Sequence, residues 1–178
     1  MARPIRNNRD LLLDAAEAVI TQSGAAALSF ASLAAMAGLP KASVQSAFGT
    51  RAALMDALLD RWMHQETARY RSALGEGASS AEARLLAHLR CTLEELQGDR
   101  GQRVATLLAI LTGEGQQSDS LRRWYRDRLG DLEAQDPEAR RRRIAYLAAE
   151  GAFFLRCLVG IDADPAIWDS VFDDLGQL

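Results

Sequence analysis

Apolar residues recur along this chain at spacings of three and four, and β-branched alternation at a period of two is absent. The pattern predicts an all-α protein of about nine helices. Leu12, Leu13, Ala16, Val19 and Ile20 share one face of a first helix over about 7–23, with Gly24 placed to end it. Ser29 is a suitable N-cap for a short second helix that buries Leu33, Ala34 and Ala37. Gly38 permits a sharp turn into a third helix at about 41–47, with Val44 and Phe48 inward. Thr50 caps a long fourth helix through Leu54, Leu58, Trp62 and Met63 to about Leu74.

The run Gly75-Glu-Gly-Ala-Ser-Ser80 then interrupts the pattern and marks a hinge between a small first unit and a larger second one. Ser79 with Glu82 reads as a capping box for a fifth helix to about Gln97. A sixth helix is expected over about 102–112, and a seventh from Ser118 or Asp119 to about Ala134. Asp136-Pro137 and Asp164-Pro165 each pair an acidic N-cap with proline in the first turn, opening helices over about 137–159 and 165–175.

The third helix is too short to add much core, and its outward residues are small and polar. It follows a brace-like second helix across a tight turn, which is the helix-turn-helix arrangement. Its residue types suit a DNA groove. Lys41 reaches a phosphate or a guanine edge, Ser43 and Ser46 bond phosphates or bases, Gln45 reads adenine with two bonds, and Ala42 meets a thymine methyl. The amide-rich starts of the second and fourth helices favour phosphate, giving Ser29 and Arg51 the role of clamps. Arg3, Arg6 and Arg9 are expected on a mobile leader that adds phosphate or minor-groove contacts. A plain three-helix core with solvated polar residues is the alternative reading.

Charge fits the division. The 178 residues carry a net −3, yet residues 1–52 hold five basic groups against three acidic ones, leaving the acidic excess on the rest of the chain. Lys41 is the single lysine among 21 basic residues. Cys91 and Cys157 lack metal or redox spacing and read as buried thiols. His64 and His88 stand alone and suggest neither a metal nor catalysis, and no cofactor is expected. The opening residues lack the apolar core of a signal peptide, and no apolar run spans a bilayer, so a cytoplasmic protein without a membrane partner is expected.

The stretch from Leu12 to Leu54 resembles the DNA-binding domain of the TetR family of bacterial repressors. The likeness is carried by Leu12-Leu-Asp-Ala-Ala16, Gly24, Leu28-Ser29, Leu33-Ala34, Ala37-Gly38-Leu39, Lys41-Ala-Ser-Val44, Phe48 and Thr50-Arg-Ala-Ala-Leu54. It implies a DNA-binding domain over 1–52 and an effector-binding and dimerisation domain over 53–178. The chain departs from the family pattern at Pro40, where Ser or Thr usually caps the third helix, and at Gln45, Ser46 and Ala47, where larger aromatic or histidine side chains are common. A basic residue often found early in the second helix is Ala31 here.

The resemblance also implies a homodimer whose two recognition helices meet an inverted repeat in a double-stranded DNA operator, about 34 Å apart. Ile144, Leu147, Gly151, Phe154, Leu155 and Leu158 on the eighth helix, with Ile167, Val171 and Phe172 on the ninth, are the candidates for the partner face. A small, mostly apolar effector is implied among helices four to seven. Trp62, Met63, Leu89, Leu93, Leu107, Leu111, Trp124 and Tyr125 are the candidate wall of a pocket of ~300–1,000 Å³. Arg140-Arg-Arg-Arg143 points all round its helix beside Glu133, Asp136 and Glu138, and reads as a solvated surface. Two rivals stand beside a ligand-modulated repressor. One is a dimeric helical interaction protein with a degenerate DNA-binding unit. The other is a helical-bundle enzyme, for which the chain offers no catalytic constellation.

Overall fold

The computed structural model describes residues 5–113 and 119–178, and among these it contains helices and no strand. The helices are α1 (Ile5–Ser23), α2 (Phe30–Ala37), α3 (Lys41–Phe48), α4 (Arg51–Leu74), α5 (Ala81–Leu96), α6 (Asp99–Gly113), α7 (Asp119–Leu129), α8 (Pro137–Phe154) and α9 (Pro165–Gly176). A 3₁₀ turn at Ala25–Ala27 follows α1, and a π-helical turn at Leu155–Val159 extends α8. No described helix is long and apolar enough to cross a membrane.

The chain separates into two compact units. The first is the chain up to Arg61 together with the end of α6 from Thr106. Leu12, Ala16 and Val19 of α1, Leu33 of α2, Val44 of α3, and Leu54 and Leu58 of α4 are buried as expected; Leu28 and Met55 join them, whereas Ala37 is only half-buried. Local chemistry sets its turns. Ser29 and Ser32 form a reciprocal capping box at the start of α2. Gly38 closes that helix at φ +63°, a conformation a β-carbon would strain. Thr50 Oγ1 accepts from Ala53 N at 3.1 Å to start α4. Arg61 binds Asp14 and lies 3.5 Å from Glu17, tying α4 to α1.

The second unit comprises Trp62 to Ala105 and the chain beyond α6. Here α5 packs on α8 and α9, burying Ala87, Leu89, Leu96, Ala145, Ala149, Phe153, Phe172 and Leu175. Asp136 and Asp164 cap α8 and α9 as the Asp-Pro pairs predict. Several boundaries differ from expectation; α1 begins at Ile5 and α6 at Asp99, each a few residues early. Ser80, not Ser79, caps α5, through its hydroxyl to Ala83 N at 3.1 Å. Helix α7 stops at Leu129 rather than near Ala134, because Gly130 takes a left-handed conformation at φ +73°.

Candidate nucleic-acid interface and internal cavity

In the first unit, α3 turns Val44 and Phe48 inward and leaves Lys41, Ala42, Gln45 and Ser46 exposed on one face. Ser43 is half-buried. Pro40 starts the helix with φ −61° and ψ 142° and no side-chain cap. The exposed face is therefore one lysine, two small residues and one amide. Three of the expected contacts have local duties. Ser29 Oγ accepts from Ser32 N at 3.1 Å in the capping box. Arg51 is half-buried and its Nε donates to Leu28 O at 3.4 Å, strapping the start of α4 to the turn before α2. Gln45 Nε2 donates to the carbonyl of Gly49.

Arg9 is not on a leader, because α1 begins at Ile5. Its guanidinium lies 5.1 Å from the ring centroid of Phe48, within cation–π range. Arg3 and the side chain of Arg6 lie outside the described residues.

In the second unit, four helical stripes converge on an internal cavity of about 20 Å³, the space of roughly one water. Helix α4 contributes Trp62, Glu66 and Tyr70; α5 contributes His88, Thr92 and Glu95; α7 contributes Trp124, Tyr125 and Arg128; α8 contributes Glu150 and Phe153. Each set is spaced as one helix face. Trp62 and Trp124 pack with ring centroids 5.2 Å apart, and Tyr125 meets Trp124 edge-on. His88 stacks on Tyr146 at 4.1 Å, and its Nε2 lies 3.2 Å from Glu150 Oε1.

The charges inside are compensated unevenly. Glu66, 4% exposed, meets Arg69 and Arg100, each at 2.8 Å. Glu95, 6% exposed, lies 3.5 Å from Arg69. Burial, with the nearby Glu66 carboxylate, outweighs the two arginines and pushes the Glu95 carboxyl up to about 8. Tyr125 is also pushed upward, first by burial and then by the Glu150 carboxylate it bonds. Arg128 goes the other way: burial holds its guanidinium below the usual arginine value. Its Nη2 is buried without a hydrogen-bond partner, as are Trp62 Nε1 and Glu95 Oε1. Among the described residues no cluster of His, Cys, Asp and Glu is placed to hold a metal ion.

Two family models match the chain: "Bacterial regulatory proteins, tetR family" over residues 12–58, and "Tetracyclin repressor-like, C-terminal domain" over residues 82–178. The chain belongs to the TetR family of transcriptional regulators. Such regulators are DNA-binding proteins and not enzymes. Solved structures agree in fold. A transcriptional regulator from Rhodococcus sp. Rha1 is 22% identical, with 95% of this chain and 94% of that one covered at a TM-score of 0.70. A TetR-family member from Streptomyces coelicolor A3 is 25% identical, with 97% and 98% covered at 0.62. The multidrug binding protein EbrR, complexed with imidazole, is 26% identical, with 94% of each chain covered at 0.60. No curated protein sequence matches.

Within this TetR-family chain, the candidate effector-wall residues fall in different places. Trp62, Trp124 and Tyr125 do line the inner cavity. Met63 and Leu89 are buried away from its wall, and half-buried Leu93 is also off it. The side chains of Leu107 and Leu111 lie outside the described residues. At about 20 Å³ the space is far smaller than the expected pocket, and its lining mixes aromatic rings with charged and polar side chains. Glu66, His88, Glu95, Arg128 and Glu150 were missed, although each sits at helical spacing from an apolar lining residue.

The α8–α9 region of the regulator has an exposed apolar face. Ile144 is 59% and Leu147 53% exposed, and Phe154, Leu155, Leu158 and Ile167 are exposed with them. A β-carbon added at half-buried Gly151 would meet nothing within 4 Å. Val171 is half-buried. Phe172 does not belong to this face: at 4% exposure it points into its own unit's core, because its position on α9 turns it away from Ile167.

Proposed function

We propose that this regulator is a homodimeric, one-component repressor of the cytoplasm whose grip on an inverted-repeat operator is set by a small ligand in the second unit. The observation that carries the reading is the split of α3 into a buried edge, Val44 and Phe48, and an exposed one, Lys41, Ala42, Gln45 and Ser46. In this role Lys41 contacts phosphate or guanine, Gln45 and Ser46 touch base edges, and Ser43, Ser29 and Arg51 steady the backbone contacts. With so few large side chains on α3, affinity leans on phosphates and on bridging water.

Dimerisation through α8 and α9 is supported by the exposed apolar face of Ile144, Leu147, Leu155, Leu158 and Ile167. A contiguous face of this kind is unusual on a monomer. Ligand control is supported by EbrR, a multidrug binding protein, sharing the fold over nearly the whole chain, and by the larger pocket of about 240 Å³ in the second unit, whereas the inner cavity holds no more than a water as it stands. Helix α4 brings Trp62, Glu66 and Tyr70 to that cavity and starts at Arg51 in the first unit. An effector that prefers the DNA-incompetent state weakens operator binding by the same free energy it gains from that preference.

Footprinting on the promoter of its own gene, followed by salt titration on the protected and on random duplexes, tests the reading. A protected inverted repeat, bound far more tightly than random DNA, is expected. A second reading, a dimeric interaction protein with a degenerate DNA unit, is favoured by the engagement of the Gln45 amide with Gly49. Equal and weak affinities for both duplexes would establish it instead.

A further inference from the structure

Arg128 stands apart from the other half-buried arginines of the second unit. Arg69 and Arg100 are matched by Glu66, Glu94 and Glu95, whereas Arg128 forms no ion pair among the described residues. Its Cζ lies 3.6 Å from the centroid of Trp124 and 4.7 Å from that of Tyr70. Nη1 reaches only the carbonyl of Trp124 at 3.5 Å, and Nη2 has no partner. The rings supply cation–π attraction but leave the guanidinium fork without an acceptor of matching shape. A carboxylate, with two oxygens in one plane, is that acceptor.

Arg128 also lines a second pocket, of about 240 Å³, formed within the same unit by the start of α5, the end of α7 and the first turns of α8. Tyr146 borders this pocket and stacks on His88 of the inner cavity, so Arg128 and Tyr146 lie where the two spaces adjoin. Arg84, Arg142 and Arg143 line it as well, against Asp127, Asp131 and Asp136. Asp131 accepts from Glu133 N and Asp136 from Ala139 N, each at 2.8 Å, and Arg143 donates to the carbonyls of Leu132 and Ala134; bonds to neutral backbone leave all three charges in place. Arg142 is paired with Glu138 at 3.6 Å. The outer charges therefore nearly balance, and the pocket's preference for an anion rests on Arg128, with Ala81, Leu85 and the Tyr146 ring offering apolar wall.

We infer that this pocket is a site for a small aromatic carboxylic acid, whose carboxylate pairs with the Arg128 guanidinium while its ring body fills the space between α5, α7 and α8. The inference rests on the reading that the second unit takes an effector, and it names the chemistry. The inner carboxylates of Glu66 and Glu150 set the depth, since an anion driven past Arg128 would meet like charge.

The test uses the full-length protein and matched probes: benzoate and 1-naphthoate against benzamide and 1-naphthamide, with benzylamine as the cation. Binding is read by calorimetry and by tryptophan emission, because Trp124 touches the proposed partner. At least one acid is expected to bind ten times more tightly than its amide, with benzylamine weakest. Arg128→Met should abolish that preference without lowering the melting temperature, since it removes a half-buried charge that has no ion pair, and Arg128→Lys should retain part of it. Acids binding no better than amides, or a preference that survives Arg128→Met, would overturn the inference. Promoter binding, measured on the same preparations, separates the two levels. Promoter binding without acid preference sinks the anion site alone; acid preference without any promoter binding sustains the site and sinks the repressor reading.

Discussion

The side-chain amide of Gln45 donates to the backbone carbonyl of Gly49, one turn further along the chain. The group expected to read adenine is therefore closing the C-terminal end of its own recognition helix. Base contact has to replace that bond. Gln45→Ala should lower the stability of the first unit by about 0.5–1.5 kcal/mol, the net value of one such bond. It should also flatten the preference among operator variants more than it weakens binding to random DNA. Competition binding with single-site operator changes measures this, and an unaltered ranking of operators would remove Gln45 from the readers.

Lys41 and Arg51 should separate in how they affect DNA binding. Lys41 is exposed at the first position of α3, so Lys41→Ala should weaken binding to all duplexes alike and lower the salt slope by about one unit, with stability unchanged. Arg51 also holds the Leu28 carbonyl, so Arg51→Ala should lower the melting temperature as well. Salt titrations paired with thermal melts distinguish the two behaviours.

The start of α6 tolerates only glycine at one position. A β-carbon at Gly101 would stand 2.7 Å from both Cys157 Sγ and Glu95 O. One neighbour is backbone and cannot swing aside. Gly101→Ala should cost about 1–3 kcal/mol in denaturant unfolding. A neutral result would mean that the π turn carrying Cys157 shifts freely.

Glu95 imposes a pH dependence whose sign follows from its raised value of about 8. Between about 4.3, the unfolded carboxyl value, and 8, the folded state holds a proton that the unfolded chain has released. Stability therefore falls as pH rises through that window and levels off above it. Glu95→Gln should remove much of the decline, giving a variant that melts higher than the wild type at pH 8. Equal slopes in the two proteins would place the titration elsewhere.

The exposed α8 face gives the quaternary prediction. Ile144→Glu or Leu147→Glu should yield folded monomers by sedimentation, since each side chain is more than half exposed and adds little to its own core. Both should bind the operator much more weakly. Phe172→Ala should instead destabilise the fold, by about 3–5 kcal/mol for a buried phenylalanine.

The first unit was legible almost residue by residue because its signals are local. Caps at Ser29 and Thr50, a reversing glycine at Gly38 and apolar spacing from Leu12 to Leu58 act within a few residues of one another. Where two local signals compete, spacing does not choose between them: Ser79 and Ser80 are both competent caps, and nothing in the spacing up to Ala134 shows that Gly130 already ends α7. The cavity was not legible for a different reason. Glu66 with Arg69 is a visible neighbour pair, but the partnership of Glu66 with Arg100, and the stacking of His88 on Tyr146, join residues far apart in sequence. A polar side chain on an apolar stripe looks solvated until its distant partner is known. Phe172 was misassigned likewise, since periodicity marks it as apolar without saying which apolar neighbour it meets.

Helix α4 carries both a cavity residue, Tyr70, and the residue next to the recognition turn, Arg51. Both lie on one uninterrupted α-helix, so a proline introduced between them would break the backbone that each unit's own packing uses.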